Sequence, residues 1–174
     1  MMQVYRFNPS DARSWALWPM LEARVREFCR DWATDTPPDA LIASMRKMFV
    51  ETPTLLCALI VLDETETIRL HCVAWADVYF NEPYLLVHQI KADDKNRLTT
   101  MRPAILAALR AWADELNEIY RSTGAPQRIV KLRLVTERPD AWARYLHGRA
   151  TRALTVMTIP VEALTEQKEN AHGG

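Results

Sequence analysis

The first glycine in this chain is Gly124. Every earlier turn must therefore be built from residues that carry a Cβ. Backbone that closely approaches a phosphate usually needs residues without one. Neither a Walker loop nor a G-x-G-x-x-G turn can lie in that stretch, and no glycine nest can form there. What the stretch does contain is three apolar runs in succession. "TPTLLCALIVLDE" reads as a buried strand and "TIRLHCVAWADVYF" as a long strand with mixed alternation. "PYLLVHQIKA" reads as a third, with "DETET" and "NEP" as the intervening turns. Strand-length apolar runs separated by short polar turns predict an antiparallel meander.

Helical periodicity flanks the meander. After a first short strand, Gln3–Phe7, the positions Leu17, Leu21, Val25, Phe28, Cys29 and Trp32 fall on one helical face. Pro19 interrupts that face, which predicts a kink or a helix start there. Pro37, Pro38 and Asp39 open a second helix, with Leu41, Ile42, Met45, Met48 and Phe49 on its apolar side. A long helix follows the third strand of the meander. Its apolar face runs Met101, Ile105, Leu109, Trp112, Leu116, Ile119 and Tyr120, and Gly124 suits its C-terminal cap. "RIVKLRLVTE" predicts a strand, "RPDAWARYLHGR" a short helix and "ATRALTVMTIP" a last strand. The expectation is an α/β (α+β) chain in the order β-α-α-β-β-β-α-β-α-β, with a mixed, mostly antiparallel sheet flanked by helices. Residues 1–162 form one domain in this reading, and 163–174 a polar tail.

Composition narrows the function classes. Lys plus Arg and Asp plus Glu both number 22, so the formal net charge is zero. Nucleic-acid binding through phosphates needs a surplus of positive charge, which is missing here. A chain without net charge is also expected to rely on a partner for solubility, whether another protein or a second copy. The longest apolar run, Leu55–Leu62, is far too short to span a bilayer, and the start "MMQVYRFNPSD" has no apolar signal core. The three cysteines, Cys29, Cys57 and Cys72, have no paired spacing. They predict neither disulfides nor zinc, and His71 beside Cys72 fits no metal pattern. The expected compartment is cytoplasmic. Trp15 and Trp18 flank Pro19 and are less easily placed in a core, so they are a candidate protein interface.

The element order resembles the GNAT acetyltransferase superfamily, over nearly the whole chain. The resemblance implies acetyl-CoA bound where the fourth strand parts from the fifth, beside Ile90 and Lys91. It also implies a pyrophosphate on the next helix N-terminus, with the pattern Q/R-x-x-G-x-G/A. Free N–H groups and the helix dipole both favour an anion there. Helix phase places Arg97-Leu98-Thr99-Thr100-Met101-Arg102 on that pattern. Arg97 matches, but Thr100 and Arg102 stand where the family has small residues. Pro103 removes an N–H from the expected first turn. Two readings stay open. In one, Arg97, Arg102 and Lys95 replace backbone donors by charge, and Thr99 or Thr100 adds a hydroxyl. In the other, Thr99 or Thr100 is a helix cap and the basic residues form a solvated rim.

The last third is similar to the family pattern N-x-x-A-x-x-x-Y. The chain has Arg138, Ala141 and Tyr145 in those places, with Gly148 following one residue early. The resemblance implies Tyr145 as general acid toward a CoA thiolate, with Arg138 near the cofactor. For a general base the candidates are His88, in phase with Leu86 and Ile90, and the turn carboxylates Asp77 and Glu82. The glycine-free loop favours a GNAT-like protein that has lost standard acetyl-CoA binding and serves as a binding or structural component, with no cofactor expected. Degenerate relatives of this size resemble proteins encoded among tailed-phage virion genes, so the resemblance implies a virion setting. The alternatives are an active N-acyltransferase using acetyl-CoA and a non-catalytic acyl-CoA sensor.

Overall fold

Three long strands form the middle of the sheet. In a computed structural model, which describes residues 2–31, 36–79, 82–126, 128–129 and 131–134, they are β2 (Leu56–Leu62), β3 (Ile68–Tyr79) and β4 (Glu82–Ala92). They pair antiparallel in chain order, as a meander does. β1 (Gln3–Arg6) adds antiparallel to β2, and β5 (Lys131–Leu134) adds parallel to β4. The sheet order is β1-β2-β3-β4-β5. These residues belong to one compact unit, Met1–Val135. The short helix and last strand expected after Thr136, and the expected boundary at 162, lie outside the described residues.

β2 is buried at every position, so it reads as an unbroken apolar run rather than an alternating one. One face of the sheet, with Ala58, Ile60 and Val73, packs against α1 (Ala12–Asp31) and α2 (Pro38–Glu51). The other, with Leu59, Cys72 and Leu85, packs against α3 (Lys95–Ser122). Ile105, Leu109, Trp112 and Leu116 recur at helical spacing on the buried side of α3. The Trp112 indole N–H also donates to the Thr54 carbonyl at 3.1 Å. Gly124 ends this helix at φ +74°, where its freedom to adopt a left-handed turn is needed.

Two local expectations are corrected. Pro19 does not start α1, which begins at Ala12 and continues through Pro19 to Asp31. Pro19 is exposed, so the carbonyl left without its N–H partner can turn to water. Trp15 and Trp18 are not an exposed pair. Trp18 is 5% exposed, and both indoles belong to an aromatic cluster with Phe7 and Phe49 at centroid distances of 4.4–6.0 Å. The Trp15 indole N–H donates to the Pro9 carbonyl at 2.8 Å, and the Arg46 guanidinium lies 5.7 Å from its ring. A turn at Asn8–Asp11 brings the start of α1 back over β1, which puts these rings inside.

The start of α3 is also corrected. The helix begins at Lys95, with Asp94 as N-cap; the Asp94 carboxylate accepts from the Arg97 N–H at 2.7 Å. Thr99 and Thr100 therefore lie inside the helix rather than capping it. The Thr100 hydroxyl donates back to the Asn96 carbonyl at 2.9 Å. Pro103 sits two turns in, not in the first turn. Replacing Asp94 with alanine is expected to lower stability by about 1 kcal/mol, with Asp94→Ser restoring most of it. Urea denaturation of the two variants beside the parent checks this.

Candidate functional site

The strand-to-helix junction β4–α3 is where the resemblance implied an anion site, because the N–H groups of α3 point out of its start. Here the junction carries its own anions. Asp94 takes two of the first helical N–H groups, Arg97 through its side chain and Leu98 through its carbonyl at 3.3 Å. Asp93, one residue earlier, pairs with three arginines: Arg24 of α1 at 2.7 Å, Arg69 of β3 at 3.4 Å and Arg97 of α3 at 3.6 Å. Arg97 also lies 3.5 Å from Asp94. Lys91, at the end of β4, reaches across to α1, to Asp31 at 2.5 Å and Glu27 at 3.3 Å. That contact holds the Asp31 carboxyl below the usual range, chiefly through the Lys91 hydrogen bond. Arg69 donates to Asp63 at 2.6 Å. Asp63 is pushed well down, first by the Thr65 hydrogen bond and then by Arg69.

The junction thus gathers four cations, Arg24, Arg69, Lys91 and Arg97, against five carboxylates, Glu27, Asp31, Asp63, Asp93 and Asp94. Each of these cations has a carboxylate partner. A diphosphate brought to the helix start would face Asp93 and Asp94. At ~5 Å each such pair opposes binding by about 1–3 kcal/mol, between water-like and near-surface dielectric limits. The residues present do not fit a pyrophosphate held on backbone N–H groups. Of the other residues expected at this site, Ile90 packs toward α3, Thr99 is exposed on α3, and Arg102 lies half-buried two turns into the helix.

The expected acid–base residues are dispersed. His88 is the extra residue of a β-bulge: Val73 pairs with Gln89 and Ala74 with Val87, so His88 has no partner position on β3. This corrects its expected phase, because the bulge puts Leu86 and Ile90 on opposite faces. The His88 ring stacks on Trp75 at 4.6 Å, and burial depresses its pKa. Asp77 is exposed and accepts from the Tyr84 hydroxyl at 2.8 Å and from the Val78 N–H at 2.8 Å. Burial, and then Asp77, raise the Tyr84 pKa. Glu82 is engaged by Lys131, which lowers its pKa. Arg138, Ala141 and Tyr145 lie outside the described residues.

Strand alternation separates the remaining candidates. Cys57 and Cys72 face α3, and burial pushes Cys57 up to about 12 and Cys72 higher still. His71 faces α1, with the Phe28 ring edge-on to it. Among the described residues no group of His, Cys, Asp and Glu is placed to hold a metal ion. No helix among them is long and apolar enough to cross a membrane. Sequence reasoning missed Arg24, Arg69 and Asp93. The only signal available for them was the doubled aspartate directly before the basic run of α3.

No family model and no curated protein matches the sequence. Solved structures do. The aminoglycoside 6'-N-acetyltransferase AAC(6')-Ih from Acinetobacter baumannii is 13% identical, with a TM-score of 0.60 over 92% of this chain and 98% of that one. AAC(6')-Iy, solved in complex with the bisubstrate analogue CoA-S-monomethyl-acetylneamine, is 14% identical, with a TM-score of 0.58 over 92% and 98%. Glucosamine-6-phosphate N-acetyltransferase from Arabidopsis thaliana is 8% identical, with a TM-score of 0.58 over 91% and 98%. At such identities the likeness is one of fold, and what this chain has is the GNAT acetyltransferase fold.

Proposed function

We propose that this chain is a divergent GNAT-like protein that has lost standard acetyl-CoA binding and acts as a binding or structural component. The observation that supports this reading is the filled junction. Asp93 and Asp94 sit at the start of α3, and Arg24, Arg69 and Arg97 are committed to carboxylates of the same chain. The charge that would hold a diphosphate is spent within the fold. A protein partner or a second copy, in the cytoplasm or in a virion, completes the proposal. It accords with a formal net charge of zero.

The competing readings are an N-acyltransferase that moves an acyl group from acetyl-CoA to an amine, and an acyl-CoA sensor without turnover. The CoA-analogue complex of AAC(6')-Iy favours keeping them. Thermal unfolding with and without millimolar acetyl-CoA separates these readings. A ligand at ~100 times its dissociation constant stabilises by roughly 2.7 kcal/mol, several degrees in a domain of this size. The expected result is no shift. A saturable upward shift would overturn the proposal, and turnover of an amine acceptor would then distinguish enzyme from sensor.

A further inference from the structure

His71 is buried among apolar groups and cations. It is 0% exposed, with Phe28 of α1 edge-on above it at a centroid distance of 6.2 Å. Its register neighbours are Ile60 on β2 and Lys91 on β4. The residues that α2 adds to this layer, Ile42, Met45 and Phe49, are apolar. Neither ring nitrogen has a hydrogen-bond partner among the described residues. The charges that act on the ring are Arg24 of α1 and Lys91 of β4, and both oppose its protonation. Only the neutral Gln89 amide, also buried on β4, favours it. Glu27 and Asp31 of α1 and Asp93 before α3 are engaged by those same two cations. Arg69, further along β3, is engaged by Asp63 and Asp93.

A proton on His71 would therefore be a buried charge without a counterion, facing two charges of its own sign. It is tolerated only where the ring reaches water. β3 cannot give that access cheaply, because it is paired with β2 from Ile68 to Trp75 and with β4 from Leu70 to Tyr79. The second half of α1 can. Side chains join it to the rest of the unit: Val25 and Phe28 in the apolar layer, Arg24 on Asp93 at 2.7 Å, and Lys91 on Asp31 at 2.5 Å. Moving it breaks no sheet hydrogen bond. Of the openings that wet His71 this is the smallest, and the smallest opening comes first. Any state with His71 in water takes a proton at its ordinary 6.5, whereas burial, with Arg24 second, holds the closed state to about 3. Closure is thus complete above pH 6.5 and loosens below it, with the opening equilibrium rising by about tenfold per pH unit.

We propose that the second half of α1 is an acid-released latch, which lifts from the sheet when His71 beneath it takes up a proton. The release is local, and the cysteines are placed to show it. Cys29 is buried on the core side of α1, whereas Cys57 and Cys72 are buried on the other face of the sheet, beneath α3. The experiment is thiol labelling of the full-length protein between pH 7.5 and 4.5 with 4,4'-dithiodipyridine, a disulfide that still reacts in acid. Peptide mass spectrometry reads each cysteine separately. His71→Leu, labelled in parallel, cancels the reagent's own pH dependence and the titration of the other histidines. In the parent, Cys29 should label ahead of Cys57 and Cys72 as the pH falls. The ratio of its rate to that in His71→Leu should rise about tenfold or more between pH 6.5 and 5. Equal labelling of all three cysteines in the parent would mean that the whole unit opens, and overturns the proposal even if His71→Leu fails to fold. A Cys29 that stays protected throughout, or that follows the same pH curve in both proteins, overturns it as well.

Discussion

Truncating Trp18 to alanine is expected to lower the unfolding free energy by about 3–5 kcal/mol, the range for deleting a large aromatic from a packed core. Its indole meets Phe7 at 5.5 Å and Phe49 at 6.0 Å, and its N–H is held by Glu22. Removing it leaves Phe7, Trp15 and Phe49 around a cavity that the α1–α2 layer cannot close without moving both helices. Urea denaturation gives the loss, and light scattering should show an unchanged molecular mass. A docking surface would give the reverse pattern: nearly unchanged stability with an altered mass. The same pair of measurements therefore separates a core tryptophan from an interfacial one.

Acid should destabilise the fold before its carboxylates protonate. Burial, with Arg24 second, depresses His71 from its ordinary 6.5 to about 3. Between those values the unfolded chain binds a proton that the folded chain refuses. Stability is therefore complete above pH 6.5 and falls as the pH drops toward 3. The slope approaches about 1.4 kcal/mol per pH unit, which amounts to roughly 2 kcal/mol between pH 6.5 and 4.5. His71→Leu should flatten that stretch of the profile relative to the parent. It should also raise stability at neutral pH, because an apolar side chain of similar size removes two buried ring nitrogens that have no partner among the described residues. Denaturant midpoints at half-unit pH steps measure both effects. An identical slope in the variant would mean that other groups, such as His88, carry it.

Much of the architecture is legible in the residue pattern, for a physical reason in each case. The meander is visible because β2, β3 and β4 differ sharply in hydrophobicity from the turns at Asp63–Thr67 and after Tyr79. The face of α3 is visible because Ile105, Leu109, Trp112 and Leu116 keep helical phase through about three turns. Its start is not, because the first turn, Lys95-Asn96-Arg97, has no apolar residue to carry the phase. Thr99, Thr100 and Pro103 imitate a cap followed by a first-turn proline, while the true cap is Asp94. Tryptophans on either side of a proline suggest a surface, and only the turn before α1 folds them inward. The bulge at His88 is invisible because one extra residue leaves composition unchanged while reversing every side chain beyond it. The ion-pair cluster joins α1, β3, β4 and α3, so no local window of sequence contains it.

The sheet order has a consequence for how the unit comes apart. β2, β3 and β4 are neighbours both in the chain and in the sheet, so their mutual contacts close short loops. β1 reaches β2 only after both α1 and α2 have intervened, and β5 reaches β4 only across α3. Each outer strand has four residues and must repay a much longer loop closure. The unit therefore has a cooperative centre with two weaker seams, and spontaneous opening begins at β1 or β5 while the central hairpins persist. A lesion in β3 unfolds the whole unit, whereas one in β1 frays a margin.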